Sequence, residues 1–288
     1  MRTRTSTASR KSSGTVPSAT CNPPSPGGDR QIRRDGYFPA EGSPPAGFHW
    51  DLWLGPSPLR PYTPAYFKGK AGMNCLEWNM FWDWGAGQIG DMGSHTMDLL
   101  WNAVGATLPT AIEAKGEAFN SDVTPLECES HFDHPANEWR GPLRVSWCQG
   151  GAMPRSPNRS INLKPIDHGV DFKGSKGFLV ADFTTRMILP YGAGADLGYY
   201  KPRSKENQLP GVGHFQQQWI VACKSPALKT ACDFEYSANM IEQLLSGLVA
   251  SRASGKLEYD PAAGKVTNNA EANALLSRKY RDGWVLNG

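Results

Sequence analysis

The order of the hydrophobic runs constrains this fold more than any other feature. Five strand-like runs, Thr110 to Phe119, Glu129 to Asp133, Leu143 to Cys148, Val170 to Phe172 and Gly177 to Phe183, follow one another with no helical pattern between them. Gly174-Ser175-Lys176-Gly177, between the last two, reads as a hairpin turn. Helical spacing flanks this block. Before it, Met92, His95, Leu99 and Ala103 mark a helix from Asp91 to Val104, ended by Gly105 and Pro109. After it come His214 to Cys223, Tyr236 to Ala253 and Asn269 to Tyr280, the last with Asn268 three residues before Glu271 in the manner of a capping box. Strands in succession bounded by helices, without βαβ alternation, predict an α+β fold whose sheet is mainly antiparallel.

The chain has 288 residues, 39% hydrophobic and 20% charged, enough to bury a core, and no run approaches the ~18 apolar residues of a membrane helix. Its net charge of +3 is unevenly spread: residues 1–34 carry +6 and the rest −3. The basic balance belongs to a tail, which argues against nucleic acid as a partner. Residues 1–34 are dense in Ser, Thr, Pro and Gly, so the sequence predicts a disordered basic tail followed by one large unit over 35–288. An Arg- and Ser-rich start also has the composition of a transit peptide, whereas a secretory signal would need an apolar stretch that the tail lacks. Six dispersed cysteines read as reduced thiols in a cytoplasmic protein. Between Tyr37 and Tyr66, prolines mix with Trp50 and Trp53, which predicts an ordered, irregular segment laid across a surface.

Gly85-Ala86-Gly87-Gln88-Ile89-Gly90 spells the G-x-G-x-x-G of a dinucleotide-binding turn. Its context is wrong for that role. The preceding Asn79 to Trp84 is bulky and charged where a doubly buried first strand is expected, and Glu113 falls later than the usual acid. The glycines are better explained by a backbone that passes close to another segment or a ligand.

Asp91-Met92-Gly93-Ser94-His95 follows at once. A spacing of four puts the Asp91 and His95 side chains on one helix face, an arrangement suited to acid/base work near neutral pH. The same spacing also fits a helix-capping Asp with a structurally bonded His.

The stretch from Trp78 to Asp98, with Trp82-Asp83-Trp84-Gly85-Ala86-Gly87 leading into Gly90-Asp91-Met92-Gly93-Ser94-His95 and Asp98, resembles the Gfo/Idh/MocA oxidoreductases, in particular their bacterial-type carboxy-terminal domain. The likeness extends to His49-Trp50-Asp51-Leu52-Trp53-Leu54-Gly55-Pro56, to Phe172 to Gly177, to Phe234-Glu235-Tyr236 and to Asn269 to Trp284. The resemblance implies a large sheet with helices on one face, carrying substrate and the oligomer interface, beside an amino-terminal Rossmann domain that holds NAD or NADP. It implies Asp91 and His95 as the catalytic pair, Trp82, Asp83 and Asp98 as substrate-binding, and a sugar or cyclitol as the small-molecule partner. No Glu-Lys-Pro motif, the family's source of a catalytic lysine, occurs in the chain, so NAD(P) is not expected to be bound by this chain alone. Three functions fit: the substrate domain of an NAD(P)-dependent oxidoreductase, a non-catalytic sugar-binding or assembly module, and an NAD-dependent glycosidase.

Weaker signals are Cys128, His131 and His134, spaced as C-x-x-H-x-x-H; in a strand the two histidines point to opposite faces, which disfavours a metal. Six of ten tryptophans fall between Trp50 and Trp101, a density that suits core packing better than sugar stacking.

Overall fold

The computed structural model describes residues 16–21, 35–68, 75–150, 168–174, 177–183, 186–191, 213–225 and 227–286, with only the strand path described at 16–21. Its strands are β1 (Val16–Cys21), β2 (Ala111–Gly116), β3 (Cys128–His134), β4 (Leu143–Gln149), β5 (His168–Lys173), β6 (Gly177–Ala181), β7 (Arg186–Pro190), β8 (Leu257–Asp260) and β9 (Lys265–Val266). They form one nine-stranded sheet in the order β7-β6-β5-β1-β4-β3-β2-β8-β9. Every neighbouring pair is antiparallel except β1 with β4, so the expected α+β sheet is present.

The predicted disorder of residues 1–34 fails at β1. Val16–Cys21 lies between β4 and β5, pairing Ser18 with Ser146 on one side and with Asp171 on the other. A polar segment becomes a strand here because two neighbouring ladders offer backbone donors and acceptors along both of its edges, which composition alone does not register. The rest of the tail and residues 192–212, the body of a polar, Gly- and Pro-rich stretch from Tyr191 to Gly213 that reads as a loop, lie outside the described residues.

The helices are α1 (Trp50–Leu54), α2 (Cys75–Trp78), α3 (Gly87–Val104), α4 (Phe215–Lys224), α5 (Phe234–Arg252) and α6 (Ala270–Ala274). Strand β3 explains why α3 and α5 cover one face. Cys128, Ser130, Phe132 and His134 are buried in alternation with the less buried Glu129, His131 and Asp133. Phe132, Val145, Trp147, Ile112 and Val170 join Met97, Leu100, Leu244 and Leu248 in a single core. Gly93 on α3 lies against Leu244, and Gly247 on α5 lies against Ser130 and Phe132; the missing side chains let helix approach helix and sheet. At its far end α3 stops at Gly105 in the left-handed conformation, and the buried Arg140 donates from Nε to the Val104 carbonyl at 2.9 Å.

Two helix boundaries differ from the sequence reading. α3 begins at Gly87, four residues before Asp91, which moves Asp91 from the first turn into the second. The last helix ends at Ala274 instead of Tyr280, and its cap is Asn269, which accepts from the Ala272 amide, while Asn268 ties Lys256 and Glu258. Beyond it the arginines bind carbonyls elsewhere: Arg281 Nε donates to Gly55 at 2.8 Å and Arg278 Nη1 to Asp83 at 3.2 Å, which holds the chain out of a helix.

The proline-rich segment is ordered, as its aromatics predict. Tyr66 and Phe81 are fully buried in a second cluster with Tyr37, Phe38, Trp50 and Trp84 around them. Trp50 stacks on Trp53 with ring centroids 4.8 Å apart. Among the described residues no helix is long and apolar enough to cross a membrane.

Candidate functional site

The glycine motif forms the entry to α3, and its geometry accounts for each glycine by packing. A Cβ on Gly85 would collide with the Asn79 carbonyl, one on Gly87 with the Thr124 hydroxyl, and one on Gly90 with the Ala86 side chain; Gly87 also has φ +59°. Packing against protein thus accounts for all three glycines, and the close approach of a ligand is not needed to explain them.

From that entry α3 turns its apolar side to the sheet, burying Ile89, Met92, Met97, Leu100 and Val104. Asp91, His95 and Asp98, at helical positions i, i+4 and i+7, share the opposite side. His95 is exposed and meets the edge of the Phe183 ring at 6.4 Å, and Phe183 in turn lies 5.0 Å from the His168 ring. Asp91 and His95 lie on one face, as their spacing predicts, without a hydrogen bond between them. Among the described residues Asp91 Oδ2 is instead buried without a partner, as are Oε1 of Gln88, one turn earlier, and Oγ1 of Thr96 on the packed side. Gln88 was not singled out by the sequence reading, although its i−3 spacing from Asp91 was a signal for it.

The other expected site residues separate. Asp98 Oδ1 accepts from the Tyr236 hydroxyl at 2.5 Å, tying α3 to α5; burial and this carboxylate raise the Tyr236 pKa. Asp83 faces inward. It is 12% exposed and pairs with Arg60 Nε at 2.7 Å. The Arg60 guanidinium lies 3.6 Å over the Tyr37 ring, and burial, then Asp83, push the Tyr37 hydroxyl up. Asp83 thus locks the proline-rich segment to the turn before α3, where no ligand is needed to satisfy it. Trp82 donates from Nε1 to the Asn120 carbonyl at 2.9 Å and lines a cavity of ≈130 Å³ with Glu117, Phe119, Asn120 and Ser251. Neither Asp91 nor His95 lines that cavity, so Trp82 and His95 are not brought into one pocket.

The Cys128, His131 and His134 cluster is divided by the pleat. Cys128 and His134 are buried toward the helices. His131 bonds through Nδ1 to Ser146 Oγ at 2.7 Å, and its Nε2 is 3.2 Å from Glu129. His134 Nδ1 donates to the Thr107 carbonyl at 2.8 Å, and burial pushes its pKa down to about 4.

Comparison with known proteins places this geometry. Residues 39–125 match the family model described as oxidoreductase family, C-terminal alpha/beta domain. That model is of the Gfo/Idh/MocA type, the family that the motifs around Asp91 and His95 resemble. The matched segment contains no Rossmann domain. Solved structures similar to the chain include the WlbA dehydrogenase from Bordetella pertussis in complex with NADH and UDP-GlcNAcA, at 12% identity over 90% of this chain and 60% of that one, TM-score 0.45. Another is GenD2 from gentamicin A biosynthesis in complex with NAD, at 14% identity over 88% of this chain and 58% of that one, TM-score 0.41. A third is an oxidoreductase from Agrobacterium radiobacter in complex with NAD+, L-tartaric acid and magnesium, at 14% identity over 62% of this chain and 50% of that one, TM-score 0.35. The chain spans 50 to 60% of the length of these three proteins. No curated protein matches it in sequence.

Proposed function

We propose that this chain is the substrate domain of an NAD(P)-dependent oxidoreductase that acts on a sugar or cyclitol hydroxyl. The observation that carries the reading is the Asp91 and His95 strip on the outward side of α3, inside the segment that matches the oxidoreductase family model. An exposed imidazole can take the proton of a bound hydroxyl, and Asp91 on the same face supplies a carboxylate for positioning. Asp98, held by Tyr236, continues this strip one turn beyond His95. NAD or NADP belongs outside this chain in the reading, since the glycine motif here is filled by Asn79, Thr124 and Ala86.

The face of the sheet away from the helices is the natural surface for self-association. It carries a ladder of paired charge in which the exposed Lys115 pairs with Glu129 at 2.9 Å, Lys256 with Asp133 at 2.7 Å, and Arg144 with Glu113. The test of the enzymatic reading is nicotinamide reduction by this chain mixed with a Rossmann domain from a relative, NAD+ or NADP+, and a panel of aldoses and cyclitols. Turnover that needs both proteins is the expected result. Sugar binding without turnover under any combination would transfer the reading to the non-catalytic module.

A further inference from the structure

Helix α4 is amphipathic, yet none of its ten residues is buried. Phe215 is 72% exposed and Trp219 66%, and Cys223 is exposed beyond them. At i, i+4 and i+8 these three form one stripe along the helix, with the exposed Ile220 on its flank. The half-buried Gln218 and Ala222 mark the side turned to the body, where Gln218 Oε1 accepts from the Ala231 amide at 3.1 Å. Three residues after Ala231, Phe234 opens α5 with 95% of its surface in solvent. Large apolar side chains grouped in this way mark a surface that another molecule covers.

We propose that the α4 stripe docks a second copy of this chain, with the two α4 helices antiparallel across a two-fold axis. Charge permits it. Lys224 is the one charged residue of α4, and it stands five positions after Trp219, well round the helix from the stripe. The nearest charges beyond the helix are of both signs and already paired, Lys229 lying 3.1 Å from Glu235 and 3.9 Å from Asp233. Two copies therefore meet without setting like charge against like. The size also fits: an aromatic side chain offers about 150–250 Å², so the three rings with Ile220 and the exposed Leu228 approach the ~800 Å² that each partner gives to a stable complex. Two-fold pairing makes the stripe its own complement, since in a pair centred on Trp219 the Phe215 of one copy lies beside the partner's Cys223. A membrane surface is the poorer match, because it calls for a basic polar face and α4 has Gln216, Gln217 and Gln218 with a single lysine. The stripe is on a different element from the charged sheet face, and the proposal stands apart from the oxidoreductase reading.

The test compares the full chain with a Phe215→Ser, Trp219→Glu double variant by sedimentation velocity, and follows alkylation of Cys223 by mass spectrometry across a dilution series. At high concentration the wild type should sediment with at least twice the mass of the variant, whatever the sheet face contributes to both. Its Cys223 should be protected until dilution exposes it. The variant should label at Cys223 equally at every concentration and unfold at the midpoint of dilute wild type, because both rings are in solvent in the single chain. Equal masses for the two folded proteins would overturn the proposal. Wild-type labelling of Cys223 that does not change with concentration would overturn it as well, and decides the matter even where the variant fails to fold. Binding of the wild type but not the variant to phosphatidylcholine/phosphatidylserine vesicles, with equal masses in solution, would overturn it in favour of a membrane. Protection of Cys223 that appears only when a Rossmann domain is added would overturn it in favour of that partner.

Discussion

The two sides of α3 are built to different ends. Toward the sheet, Ile89, Met92, Met97, Leu100, Trp101 and Val104 are each at most 4% exposed, and their packing leaves little to improve. On the outward side the same helix carries Asp91, His95 and Asp98, with Gln88 at the margin; among the described residues the buried oxygens of α3 without a partner are Oε1 of Gln88, Oδ2 of Asp91 and, within the packed side, Oγ1 of Thr96. An unpaired buried acceptor costs about 1–3 kcal/mol, a large part of the margin by which a domain is stable. The two sides differ in exposure: the inner one is closed by the core, and the outer one leaves His95 and Asp98 in solvent.

In stability, the largest expected effect lies on the inner side. Leu100→Ala should cost about 2–5 kcal/mol in denaturant unfolding, because the side chain is fully buried between sheet and helices. His95→Ala, one and a half turns away on the outer side, should leave the unfolding midpoint within experimental scatter. A comparable loss in both variants would abolish the distinction between the sides.

The next effect is in pH dependence, and it has opposite signs on the two faces of the sheet. On the helix face, folded His134 takes a proton only near pH 4, whereas the unfolded chain takes it near 6.5, so its contribution to stability is lost as pH falls through that window. The amount is on the order of 3 kcal/mol. On the other face, burial raises the Asp171 pKa to about 6 from 3.8, so the folded state holds a proton that the unfolded state has shed, and stability is lost as pH rises between those values. His134→Gln should flatten the acid side of a stability-against-pH curve, and Asp171→Asn should raise stability at neutral pH. Curves of unchanged shape for both variants would contradict the burial of these groups.

The smallest effect is at the seam between α3 and α5. Tyr236→Phe removes the hydroxyl that Asp98 accepts from and should cost about 1 kcal/mol in thermal or denaturant unfolding. A much larger loss would mean that Asp98 serves the fold and not the outward strip.

The fold was largely legible because its information is periodic. The alternation along β3 and the helical spacing from Met92 to Ala103 each reach the structure with boundaries displaced by a few residues. What escaped was set by partners far along the chain. β1 exists because β4 and β5 flank it, and the chain after Ala274 is held straight by carbonyls of Gly55 and Asp83. The short β8 and β9, of four and two residues, carry too little pattern to be read. The site was legible in one half. Spacing placed Asp91, His95 and Asp98 on one side of α3, but no spacing announces that Asp83 is consumed by Arg60, or that Asp91 leaves its Oδ2 unpaired instead of bonding His95.

The central claim is that the outward side of α3 carries acid/base chemistry. The most direct measurement compares the initial rate of nicotinamide reduction for wild type and His95→Gln, each mixed with the same Rossmann domain and substrate. The account predicts a rate lower by about 10²–10⁴ in the variant with its unfolding midpoint unchanged. Equal rates in the two proteins would contradict it.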